Sequence, residues 1–174
     1  MRDLRLSLPA QGTGIFSGIL LLMADLSEME HRLKDIYRIL VVDDSQDDLF
    51  FLRKVIRRNP RFIIVGEVCN GDDAIAYLSG QGVFSDRGQF PFPDTMLLDL
   101  KMPRKSGFEV LEWLQEQSFD RLTVVVLSGS NLPEDISKAL KLGADAYKTK
   151  TNDEKEQVLL LRDLEELLDR RHSL

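Results

Sequence analysis

From Tyr37 onward, short apolar runs alternate with amphipathic stretches. Ile39–Val42 is a β-branched run that predicts a strand. Ser45 then opens a helix with Asp47 and Asp48 in its first turn and Arg57-Arg58 in its last. That order of charge complements the helix dipole. Leu49, Leu52 and Val55/Ile56 form its inner stripe, and Asn59-Pro60 stops it. Phe62–Val68 is the second strand. Asn70 caps a helix running to about Leu78. A long connection, 79–93, follows, punctuated by Gly80, Gly82, Gly88, Pro91 and Pro93. Connections of that length are usually functional or mobile.

The apolar run Met96–Leu98 predicts a buried third strand, stopped by Asp99. Ser106 and Glu109 have the spacing of a capping box, which opens a helix to about Glu116 with Phe108, Leu111 and Leu114 or Trp113 inward. Leu122–Leu127 is the fourth strand. Pro133 lies in the first turn of the next helix and Gly143 closes it. Ala144–Tyr147 is the fifth strand. Thr151 and Glu154 suggest another capping box, and the last helix, to about Arg170, carries the stripe Val158, Leu161, Leu164 and Leu168. Five strands alternating with five helices argue a parallel sheet covered on both faces.

Residues 1–36 break this rhythm. Ile15 to Leu26 is apolar behind Arg2 and Arg5, but Asp25 interrupts it and no small-residue cleavage site follows. The run is too short to span a membrane. The reading is an N-terminal extension, disordered or partly helical, before a domain at 37–171; Met23 and Met29 are alternative starts.

The whole chain has 174 residues, 43% apolar and 30% charged, as a folded globular domain requires. A net charge of −6 argues against non-specific nucleic-acid binding, which needs a basic face. The single cysteine, Cys69, excludes an intramolecular disulfide and a cysteine-based zinc cluster, and fits a cytoplasmic protein. Cys69 itself reads as a small buried apolar residue. His31 and His172 lie in flanking segments and read as solvent-exposed. Phe84, Phe90 and Phe92 read as loop anchors on the core.

The candidate chemistry lies at strand ends. Asp43 and Asp44 end the first strand, Asp99 the third and Ser128 the fourth; Lys150 follows the fifth. Open α/β sheets put their ligand sites at the carboxyl ends of strands. Neighbouring parallel strands would bring three carboxylates together, and such a group repels itself unless a cation joins it. All-oxygen ligation suits Mg²⁺.

These pieces occur as Ile-Leu-Val-Val-Asp43-Asp44, Leu-Leu-Asp99-Leu-Lys-Met-Pro103, Gly107, Val-Val-Leu-Ser128-Gly and Gly143-Ala-Asp-Ala-Tyr147-Lys-Thr-Lys150. In that order and spacing the chain resembles the receiver domain of two-component response regulators. The long loop resembles that of stand-alone regulators of the cyanobacterial-phytochrome type. The resemblance implies a flavodoxin-like sheet in order 2-1-3-4-5. It also implies a Mg²⁺-dependent phosphoacceptor role for Asp99, taking a phosphoryl group from the phosphohistidine of a sensor histidine kinase or phosphotransfer protein. Asp43, Asp44, Asp99 and the backbone carbonyl of Lys101 would serve the metal, with Asp43 acting through a water. Ser128 and Lys150 would hold phosphoryl oxygens, Ser128 and Tyr147 would form the switch, and Lys101 and Ser130 would tune acyl-phosphate lifetime.

Lys150-Thr151 stands where the family usually has Lys-Pro, so the resemblance leaves the reach of Lys150 to be established and a cis peptide bond is not expected there. Because the chain ends with the last receiver helix, the reading is a single-domain, non-enzymatic regulator. It would signal to a downstream protein by contact, without nucleic acid or membrane, with homodimerisation through the fourth helix, fifth strand and fifth helix. Two rivals are a pseudo-receiver scaffold and an aspartyl phosphohydrolase. The second normally wants another acid two residues after the nucleophile, where this chain has Lys101.

Overall fold

The computed structural model describes residues 36–151 and 153–172. The expectations for residues 1–35, including His31, and for the side chain of His172 lie outside the described residues. Within them the chain folds as β1 (Tyr37–Val42), α1 (Gln46–Ile56), β2 (Phe62–Val68), α2 (Gly71–Ser79), a 3₁₀ turn (Gly82–Phe84), β3 (Thr95–Leu98), α3 (Gly107–Gln115), β4 (Thr123–Ser128), α4 (Pro133–Lys141), β5 (Ala146–Thr149) and α5 (Glu154–His172). The strands form one parallel sheet in the order β2-β1-β3-β4-β5. This is the flavodoxin-like arrangement.

The continuous apolar strands are explained by burial on both faces. Alternate residues serve opposite sides. Leu40, Val42, Met96, Leu98, Val124 and Val126 pack with Tyr77 and Leu78 of α2, Val110 and Leu111 of α3 and Ala139 of α4. Ile39, Val41, Leu97, Val125 and Leu127 pack with Leu49, Leu52 and Ile56 of α1 and Leu160, Leu161, Leu164 and Leu168 of α5.

Helix starts follow local chemistry. Ser45 caps α1 by accepting from the Asp48 N–H, and Asn70 caps α2 by accepting from Asp73. Ser106 and Glu109 form the reciprocal capping box of α3. α5 starts differently from the expectation. Asp153 accepts from the Lys155 N–H at 2.8 Å, while the Glu154 carboxylate turns to Arg58 and Lys54 of the α1 end. Two nearby cations outcompete one backbone amide for Glu154. Along α5 the expected Leu161, Leu164 and Leu168 are buried, and the departure is at the first stripe position. Val158 is 50% exposed, and Gln157 and Leu160 are buried instead. Cys69 too departs from expectation: just past the end of β2, it is exposed.

The long 79–93 connection is packed rather than loose. Gly80 ends α2 in the left-handed conformation, φ 65°, which costs glycine little. The Arg87 guanidinium donates to the carbonyls of Tyr77 and Leu78, both at 2.8 Å, and to Phe90 at 3.3 Å. It thereby adds a charged donor to carbonyls at the helix end, where intrahelical partners run out. Tyr77, Phe84 and Phe90 form a ring cluster with centroids 5.1–6.0 Å apart. Among the described residues no helix is long and apolar enough to cross a membrane.

Candidate functional site

Strand register brings the site together. Val42 pairs with Leu98, so the residues that follow, Asp43 and Asp99, leave the sheet side by side. The Asp99 N–H donates to the Val42 carbonyl at 2.9 Å. One strand further, Leu98 pairs with Val126, and on β5 Thr149 pairs with Ser128. The Lys150 N–H then donates to the Ser128 carbonyl at 2.8 Å. Residues more than a hundred positions apart thus share one edge.

Carboxylate oxygens of Asp43, Asp44 and Asp99 lie within 4.8 Å of one another. Asp43 and Asp99 are buried and Asp44 is exposed. The Lys150 ammonium lies 2.7 Å from Asp43 Oδ2, 2.8 Å from Asp48 Oδ2 and 3.0 Å from Asp99 Oδ2. Asp43 Oδ1 accepts from the Ser45 N–H at 2.9 Å. Asp99 Oδ1 accepts from Leu100 at 2.7 Å and Lys101 at 3.4 Å. Both buried acids are therefore held in place from two sides.

The electrostatics follow. Burial pushes the Asp43 carboxyl above its ordinary range, against the hydrogen bonds from Lys150 and Ser45 and the charge of Lys150. For Lys150, burial acts to lower its pKa. The hydrogen bonds it donates to Asp43, Asp48 and Asp99 outweigh it, so the group is raised and stays charged. Four carboxylates gather around this site, and three of them contact its one ammonium. A hard divalent cation fits this set: it offers charge that Lys150 alone does not supply, and it favours carboxylate oxygens. Asp43, Asp44 and Asp99 are the residues able to hold it.

The loops around the acids are tightly built. Gly107 is buried, and a Cβ there would lie 2.2 Å from the Asp99 carbonyl oxygen, so only glycine fits. The backbone carbonyl of Lys101 lies in this loop and its side chain is exposed. At the end of β4, Ser128 is fully buried and its Oγ accepts from the Ser130 N–H at 3.3 Å. Ser130 donates its own hydroxyl to Asp135 Oδ2 at 2.5 Å, and its carbonyl accepts from Tyr147 Oη–H at 2.9 Å. A connected path therefore runs from Ser128 through Ser130 to Tyr147. Lys150 reaches the cluster with threonine following it, and the described residues contain no cis peptide bond.

The structure joins Asp43 and Asp99 to Lys150 directly, brings Asp44 within 4.8 Å of both acids, and links Ser128 to Lys150 through the backbone. The partner that sequence reasoning missed is Asp48, read there only as a first-turn acid of α1. Its signal was present: it stands four residues after Asp44, in the first turn of a helix that starts at the strand edge.

The sequence matches the response regulator receiver domain family over residues 39–162. The nitrate/nitrite response regulator protein NarL of Escherichia coli K12 is 37% identical over 109 residues, which cover 63% of this chain and 45% of NarL. The chain thus spans about half the length of that relative. The response regulator Rcp1 of Synechocystis sp. is 32% identical over 131 residues, 73% of this chain and 85% of Rcp1. A solved structure of Rcp1 in its Mn²⁺-bound form superimposes with a TM-score of 0.63 at 29% identity, over 74% of this chain and 91% of that one. The structure of the phosphorylated cyanobacterial phytochrome response regulator RcpA superimposes with a TM-score of 0.66 at 28% identity, over 76% of this chain and 94% of that one.

Proposed function

Because the chain belongs to the response regulator receiver domain family of two-component signalling, we propose that Asp99 accepts a phosphoryl group from a phosphohistidine in a Mg²⁺-dependent reaction. The observation that carries this reading is the contact of Lys150 with Asp99 at 3.0 Å beside three converging carboxylates. A carboxylate oxygen of Asp99 forms a bond to phosphorus as the phosphorus–nitrogen bond of the donor breaks, and the imidazole leaves as a neutral ring after taking up a proton. Like charges oppose that approach, so positive groups must surround the transferring phosphoryl. Asp44, Asp99 and the Lys101 carbonyl would hold Mg²⁺, with Asp43 acting through a water, and the ion would supply charge neutralisation and alignment. Lys150 pairs with one phosphoryl oxygen, where its compact charge suits a single acceptor. The Ser128 hydroxyl donates to another.

The product carries roughly −1.5 to −2 charge at one point. Drawing Ser128 toward it pulls on Ser130, whose carbonyl holds Tyr147. Phosphorylation then shifts the population between two packings of the β4–α4 loop and Tyr147. Lys101 and Ser130, two residues past Asp99 and Ser128, set how readily water reaches the acyl phosphate. The domain at 37–171 acts as a phosphoacceptor switch rather than an enzyme with its own substrate. Its donor is a sensor histidine kinase or phosphotransfer protein of the cytoplasm. The downstream protein, or a second copy, docks on α4, β5 and α5.

Incubation with acetyl phosphate and Mg²⁺, followed by intact mass, tests the proposal. A stable adduct of one phosphoryl group, lost in Asp99→Asn, is expected. Continuous release of free phosphate without an adduct would make the protein a phosphohydrolase, and no reaction at all would make it a scaffold.

A further inference from the structure

Lys150 has three N–H donors, and three carboxylates take them: Asp43, Asp48 and Asp99. Of these, Asp48 alone lies outside the group whose oxygens converge within 4.8 Å. It comes from a different element, the first turn of α1, where its own N–H is tied to Ser45 Oγ at 3.3 Å. The side chain of Asp48 is 31% exposed, against 3% for Asp43 and 7% for Asp99. It therefore sits at the rim and holds the ammonium from the solvent side.

Charge counting shows what this contact does. A divalent cation and Lys150 bring three positive charges, and Asp43, Asp44 and Asp99 bring three negative ones. Asp48 makes four. Asp48 is thus the acid left to Lys150 alone, and the entering phosphoryl group, itself an anion, must compete with it for the lysine donors. Resting on the phosphoacceptor reading above, we infer that Asp48 is a positioning residue that restrains phosphorylation by holding Lys150 toward α1.

Asp48→Asn keeps the size of the side chain, removes its charge and weakens its hold on the ammonium. At saturating Mg²⁺ it should raise both the rate of labelling by acetyl phosphate and the affinity for beryllofluoride, each by roughly two- to fivefold, the scale of a partly exposed ion pair. In a Lys150→Met background the same substitution should change beryllofluoride affinity by less than about twofold, because no ammonium is left to contest. Unchanged or lower values in Asp48→Asn would overturn the inference. So would a full effect persisting without Lys150, since Asp48 would then act by bare charge alone. Failure of the unsubstituted protein to take phosphate from acetyl phosphate would instead sink the phosphoacceptor reading itself.

Discussion

Gly107 shows how much one residue contributes to the placement of Asp99. Its N–H donates to the Leu100 carbonyl at 3.1 Å, and it begins α3 pressed against the Asp99 backbone. A methyl group there would sit 2.2 Å from a carbonyl oxygen, which is rigid backbone rather than a movable side chain. Gly107→Ala must therefore push α3 away from the β3 end. It should cost about 1–3 kcal/mol of stability, the range of overpacked cores. It should also slow acetyl-phosphate labelling, because Asp99 shifts relative to Lys150. Urea denaturation and the labelling rate check both halves; an unchanged rate with lower stability would show that the backbone yields on the α3 side only. Cys69 is the contrary case. Nothing in the path of the site uses it, and its exposure follows from its place between β2 and the cap of α2.

At the scale of an element, the 79–93 connection depends on a single guanidinium. Arg87 closes the end of α2 and reaches Phe90 further along the loop, while its charge lies over the Phe92 ring at 5.8 Å. Replacing it leaves two helix-end carbonyls without this donor. Arg87→Ala should cost about 1–3 kcal/mol, the worth of charge-assisted hydrogen bonds. Amide hydrogen exchange should accelerate across residues 80–93 while β1 and β3 stay protected. Acceleration throughout the sheet would instead mean that the loop and core unfold as one unit. The α5 helix shows the limit of a local pattern. Val158 has the spacing of an inward residue, yet it stands exposed because the contact with α1 selects Leu160, Leu161, Leu164 and Leu168. The stripe Leu161, Leu164 and Leu168 stands as its spacing implies, and only the packing decides that Leu160 rather than Val158 joins it.

Across the whole molecule, the sheet order concentrates negative charge at one edge. Asp43, Asp44, Asp48 and Asp99 share that edge with one lysine. A cation that binds the folded state and not the unfolded chain stabilises by mass action. Mg²⁺ at a hundredfold over its dissociation constant should raise the unfolding free energy by about 2.7 kcal/mol. Asp44→Ala should shrink that gain at the same Mg²⁺ concentration. It removes one ligand while leaving the Lys150 contacts with Asp43, Asp48 and Asp99 in place. A denaturation midpoint unmoved by Mg²⁺ would show that the acids do not share a cation.

The amino-acid order by itself determined the alternation of strands and helices, the apolar strands buried on both faces, and the polar residues at the strand ends. Those features rest on periodicity and on residues next to one another in the chain. Resemblance to a family then supplied the sheet order. What the tertiary structure alone decided is where side chains from separate elements meet: Asp48 on Lys150, Glu154 on Arg58, Leu160 rather than Val158 in the core, and Arg87 folded back on α2. Each is a contest between partners distant in sequence, settled by geometry. No local pattern records how far a flexible lysine or arginine will reach once the sheet has closed.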